Sequence, residues 1–82
     1  MYFIYIVKCV DDTLYVGSTN NIEKRVKEHN TSKRGARYTS TRRPVTLMYT
    51  EEYKTITEAM RREYEIKSWT RKRKLKLMGV EV

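Results

Sequence analysis

The chain is 82 residues long and 39% hydrophobic, with 18 Lys+Arg against 10 Asp+Glu and a formal net charge of +8. That length allows one domain, residues 1–82, burying roughly 60% of its unfolded surface, and excludes a second. With Cys9 the one cysteine and His29 the one histidine, an internal disulfide is excluded and a zinc site lacks its usual ligands.

No apolar run approaches a membrane span or a signal segment, so a soluble, cytoplasmic protein with no membrane partner is expected. Tyr2 to Val7 and Leu14 to Ser18 are short apolar runs separated by Asp11 and Asp12, which predicts a β-hairpin with an acidic tip. Alternation sets Phe3, Tyr5, Val7 and Cys9 on one face of the first strand and Tyr2, Ile4, Ile6 and Lys8 on the other. A two-residue turn at Asp11-Asp12 would put Tyr5 and Tyr15 on opposite faces. A three-residue loop, Val10-Asp11-Asp12, reverses that parity, unites the tyrosines and gathers Ile4, Ile6, Leu14 and Val16 on one dry face. It needs one residue in the left-handed region, which Asp tolerates. The three-residue loop is the favoured reading, and both sheet faces then need cover.

Asn20, followed three residues on by Glu23, reads as the start of a helix over about 21–30. Ile22, Val26 and His29 form its apolar stripe, with Arg25 beside it and one turn from His29. Residues 30–44 carry Lys33, Arg34, Arg37, Arg42 and Arg43 with no acid. A long basic loop in so small a domain points to function. Val45 to Tyr53 alternates Val45, Leu47 and Tyr49 against Thr46, Met48 and Thr50 as a third strand, with Pro44 at its entrance.

Thr55-Ile56-Thr57-Glu58 is a capping box opening a helix from about Ile56 to Trp69. Its stripe runs Ile56, Ala59, Met60, Glu63, Ile66/Lys67, and Glu63 interrupts it. Arg61, Arg62 and Glu65 point elsewhere. Thr70 caps a last helix, Arg71 to Met78, ended by Gly79, with Leu75 and Met78 docking on Trp69. Residues 61–76 hold eight bases against Glu63 and Glu65. Clusters of this kind favour a polyanionic partner, against the plainer reading of a solvated basic face.

Phe3-Ile4-Tyr5, then Tyr15-Val16-Gly17, then Arg25, His29 and Glu63 resemble the GIY-YIG nuclease domain, and most closely its small stand-alone bacterial members. The resemblance covers essentially the whole chain. It implies an α/β (α+β) fold with a three-stranded antiparallel sheet flanked by about three helices. It also implies hydrolysis of DNA phosphodiester bonds with a divalent metal, Mg²⁺ or Mn²⁺, and no small-molecule cofactor. By that resemblance Glu63 ligates the metal, Arg25 contacts the scissile phosphate, Tyr5 accepts the proton of the attacking water and Tyr15 orients water or phosphate. His29 assists proton transfer or holds a phosphate. A lone carboxylate suffices for Mg²⁺, which fills its octahedron with waters and phosphate oxygens.

Each residue also has a plainer reading. Glu63 pairs with Arg25 across the helices, Arg25 is a surface arginine, Tyr5 and Tyr15 are buried aromatics with bonded hydroxyls, and His29 closes a helix on its dipole. Backbone phosphates would be tracked by Lys33, Arg34, Arg37, Arg42 and Arg43 together with Arg71, Lys72, Arg73, Lys74 and Lys76, while Tyr38 stacks on an unpaired base. Phe3 departs from the glycine of the first motif, and Ser18 stands where several active relatives place a lysine. The expectation is a structure-selective rather than sequence-selective DNA endonuclease. The alternatives are a non-catalytic nucleic-acid binder on the same scaffold and a protein-interaction module with an acidic partner.

Overall fold

The computed structural model describes residues 1–31, 39 and 42–80. Strands β1 (Tyr2–Lys8), β2 (Leu14–Thr19) and β3 (Thr46–Tyr53) form an antiparallel sheet in the order β2-β1-β3. Helices α1 (Ile22–Thr31), α2 (Ile56–Lys67) and α3 (Arg71–Leu77) complete the α+β fold. Among the described residues no helix is long and apolar enough to cross a membrane.

The hairpin has the odd loop. Tyr5 pairs with Gly17, Val7 with Tyr15 and Lys8 with Leu14, and Cys9 N–H donates to the Thr13 carbonyl at 2.8 Å. Asp12, at φ 72°, supplies the left-handed residue. The register sorts the core into two layers. Ile4, Ile6 and Val16 lie with Ala59 and Ile66 of α2 on one face; Tyr5, Val7, Cys9 and Val45 lie on the other, covered by Ile22 and Val26 of α1. Because β1 is central, residues of both parities are dry.

Several local expectations change. The cap of α1 is Asn21, whose Oδ1 accepts from Lys24 N–H at 3.1 Å, rather than Asn20, and the helix continues through Thr31. In β3, Tyr49 pairs with Ile6 and Leu47 with Val7, so Met48 is an extra bulged residue. Past it the parity reverses: Val45 joins the Tyr5 layer and Tyr49 the Ile4 layer, not one face as simple alternation suggests. Helix α2 ends at Lys67, capped by Ser68, two residues before the expected Trp69. Its stripe is also narrower, for Ala59 and Ile66 are buried while Ile56 and Met60 are over half exposed. Trp69, Leu77 and Met78 pack against the Ile4 layer, so from α3 it is Leu77 rather than the expected Leu75 that joins Met78 there.

Two caps stand as read. Thr55 Oγ1 accepts from Glu58 N–H, and Thr70 Oγ1 from Arg73 N–H. Gly79, at φ 79°, closes α3 with its N–H on the Lys76 carbonyl.

Candidate active site

The hairpin parity puts Tyr5 and Tyr15 on one face, their ring centroids 6.4 Å apart. Helix α1 crosses that face, and its Arg25 and His29, one turn apart, both reach Tyr5. Tyr5 Oη lies 2.7 Å from His29 Nε2 and 3.4 Å from Arg25 Nε. The Tyr15 and His29 rings meet edge to face at 5.2 Å. On its other side the imidazole bonds through Nδ1 to Thr39 Oγ1 at 2.7 Å. Both ring nitrogens are therefore engaged in a fully buried side chain.

Gly17 is what lets Tyr5 lie there. A Cβ at residue 17 would stand 2.4 Å from Tyr5 Oη and 2.6 Å from Cζ. The tyrosine of the first motif therefore rests on the glycine of the second, directly across the ladder.

Burial sets the protonation states. It pushes the Tyr5 phenol up to about 12 against the pull of the Arg25 guanidinium. Burial first, and then the Arg25 charge, push His29 down to about 4. The imidazole is neutral at pH 7, so one nitrogen donates and the other accepts. Its place in the last turn of α1 thus gives no charge–dipole attraction of the kind expected for a helix-closing histidine. What meets that end is Arg43, whose Nε donates to the His29 carbonyl at 2.6 Å.

Glu63 comes from the other layer. Helix α2 packs on β1 and β2, and Lys67, one turn beyond Glu63, joins it to the tyrosine side. Lys67 Nζ is 2.6 Å from Glu63 Oε2 and 5.8 Å from the Tyr15 ring centroid. The ion pair of Glu63 is thus with Lys67, and Arg25 has a carboxylate neighbour of its own in Glu28 at 3.4 Å. Glu63 keeps 19% of its side chain in contact with solvent, so a cation can arrive. Among the described residues no three of His, Cys, Asp and Glu gather around one point. A divalent ion at Glu63 would rest on one carboxylate and its own waters, which suits Mg²⁺; the ammonium already against that oxygen shows that a cation fits there.

The basic residues divide. Lys33, Arg34, Arg37 and Tyr38 lie outside the described residues. Arg42 pairs with Asp11 at 3.0 Å, and Arg71 donates to the Asp12 carbonyl at 2.6 Å. Arg73 stacks on Trp69 at 4.0 Å. Lys72 and Lys76 are exposed on α3, and Lys74 is half-buried.

Sequence reasoning missed three contributors. Thr39 and Asn30 sit in the stretch read as basic loop, and their polar side chains carry no periodic signal. Asn30 accepts from Val45 N–H at 2.6 Å and donates to the Val45 carbonyl at 3.2 Å, so its amide ties the end of α1 to the start of β3. Lys67 stands at the end of the expected apolar stripe, although its spacing of four from Glu63 is an ion-pair signal.

Comparison with known proteins points to one family. The family model described as the GIY-YIG catalytic domain matches residues 1–76. A UPF0213 protein of Staphylococcus haemolyticus is 54% identical over 77 residues, covering 94% of this chain and 93% of the relative. The solution NMR structure of a UPF0213 protein from Bacillus halodurans is 39% identical, with a TM-score of 0.61 over 96% of this chain and 84% of that one. A solution NMR structure from E. faecalis is 38% identical, with a TM-score of 0.64 over 95% and 82%.

Proposed function

The chain belongs to the GIY-YIG catalytic-domain family, and from that premise we propose that it is a divalent-metal-dependent endonuclease hydrolysing DNA phosphodiester bonds, selective for structure rather than sequence. One observation carries the reading: the Tyr5 hydroxyl lies between His29 Nε2 and Arg25 Nε, with Tyr15 alongside and Glu63 joined to it through Lys67.

In this reading each side chain has a task. Neutral His29, its ring fixed by the Thr39 bond, holds the Tyr5 hydroxyl in place, and Tyr5 takes the proton of the attacking water in its phenolate form, which Arg25 and a bound metal would favour against the burial of the phenol. The guanidinium of Arg25 then faces the charge growing on the phosphate, which its fixed fork of donors suits. Tyr15, less buried than Tyr5, orients water or phosphate. A hydrated Mg²⁺ or Mn²⁺ held by Glu63 supplies further positive charge at the phosphate oxygens. Specificity for structure follows from basic groups that contact backbone rather than base edges.

Purified protein with Mg²⁺ or Mn²⁺ is tested on plasmid, single-stranded and branched DNA. Metal-dependent cleavage is expected, abolished by Glu63→Ala and reduced about 10²- to 10³-fold by Arg25→Ala. Cleavage that survives Glu63→Ala overturns the reading.

The second reading, a non-catalytic nucleic-acid binder on the same scaffold, is favoured by the burial of Tyr5 at 1% and His29 at 0% exposure. It predicts salt-sensitive binding with no metal-dependent product in the same assay.

A further inference from the structure

Lys67 Nζ lies 2.6 Å from Oε2 of Glu63, the carboxylate that would hold a divalent ion. The lysine is the more exposed partner: its side chain is 48% exposed and that of Glu63 19%. A flexible four-carbon stem lets the ammonium leave without disturbing α2. The direction in which it leaves is set by its surroundings, since Nζ already lies 5.8 Å from the Tyr15 ring centroid, on the side where Tyr5, Arg25 and His29 converge. A divalent ion on the same carboxylate repels the ammonium, so the two compete for Glu63.

We propose that Lys67 is a substrate-binding residue held in reserve: its ammonium stands in for the divalent cation on Glu63 and, once that cation binds, turns to the substrate phosphate beside Tyr15. The inference rests on the nuclease reading above and adds to it a phosphate contact supplied by α2. The ion pair keeps Glu63 placed in the metal-free protein. Metal binding would then leave two cations facing the phosphate, the ion on Glu63 and the Lys67 ammonium.

The test separates these effects by sign. Wild type, Lys67→Met, Lys67→Arg and Glu63→Gln are titrated with Mn²⁺ alone, followed by electron paramagnetic resonance. Removing a half-exposed competing charge tightens Mn²⁺ binding in Lys67→Met roughly two- to fivefold, while Glu63→Gln loses the site. Duplex DNA binding is then measured in Ca²⁺ across a salt series. Lys67→Met binds more weakly, with a salt slope shallower by about one, and Lys67→Arg restores the slope. Unchanged Mn²⁺ affinity and salt slope in Lys67→Met would make the pair a surface contact only and overturn the proposal. Equal failure of wild type and Glu63→Gln to bind Mn²⁺ instead overturns the metal site itself, a different result.

Discussion

Tyr5 and Gly17 are one device written at two places in the sequence. The phenol lies flat on the glycine because nothing projects from residue 17, and the added methyl of Gly17→Ala would meet Oη at 2.4 Å. The ring must then shift, and overpacking of this kind costs about 1–3 kcal/mol. The expected outcome is a lower urea midpoint together with a changed His29 imidazole ¹⁵N spectrum, since Tyr5 holds Nε2. His29 itself gives a pH signature. Its folded value is about 4 against 6.5 unperturbed, so the unfolded chain takes up the proton first. Stability from this group is fully present above pH 6.5 and is lost as pH falls toward 4. At about 1.4 kcal/mol per unit the loss is of order 3 kcal/mol. Thermal melts of wild type should decline across that window while those of His29→Gln stay nearly flat. The motif residues were legible because tyrosines, arginine and glutamate keep their types and spacings. Thr39 was not, for a buried threonine bonded to a histidine looks like any loop threonine.

Among the elements, the hairpin was legible because its parity had a single dry solution: only an odd loop joins Ile4, Ile6 and Val16 on one face. Strand β3 was legible as a strand but not in its facing, because the Met48 bulge leaves no mark in the residue pattern. Beyond that bulge Tyr49, Glu51 and Tyr53 line one face. Glu51 accepts from both phenols, at 2.5 and 2.6 Å, and from Arg62 Nε at 2.9 Å. Burial opposes the Glu51 charge, but these donors outweigh it and hold the carboxyl below its usual range. Arg62 also lies over Trp69 at 5.1 Å and pairs with Glu65. Arg62, expected off the apolar stripe, is therefore the clamp between α2 and β3. Arg62→Ala would leave Glu51 partly desolvated without its cation, a loss of roughly 1–3 kcal/mol given the partial exposure of both groups. The exposed neighbour Arg61→Ala should stay within about 0.5 kcal/mol. Urea denaturation of the pair decides the matter, and equal midpoints would make the Arg62–Glu51 bond energetically idle.

For the molecule as a whole, the net charge of +8 was legible from composition, but its working geometry was not. Arg42, Arg43 and Arg71 read alike as phosphate trackers, yet each also holds the fold: Arg42 on Asp11, Arg43 on the His29 carbonyl, Arg71 on the Asp12 carbonyl. Replacing any of them would mix lost binding with lost structure. Lys72 and Lys76, exposed on α3, are the cleaner probes. Each phosphate neutralised contributes about 0.9 to the slope of log affinity against log salt for duplex DNA. The double variant Lys72→Gln/Lys76→Gln should therefore bind duplex DNA with a slope shallower by about two, equally for unrelated sequences, since phosphate contacts carry no base information. Its melting temperature and its Mn²⁺ affinity should remain those of wild type, because neither lysine touches the Tyr5 or Glu63 groups. An unaltered slope would place the nucleic acid away from α3. The positive charge of that helix would then serve solubility rather than recognition.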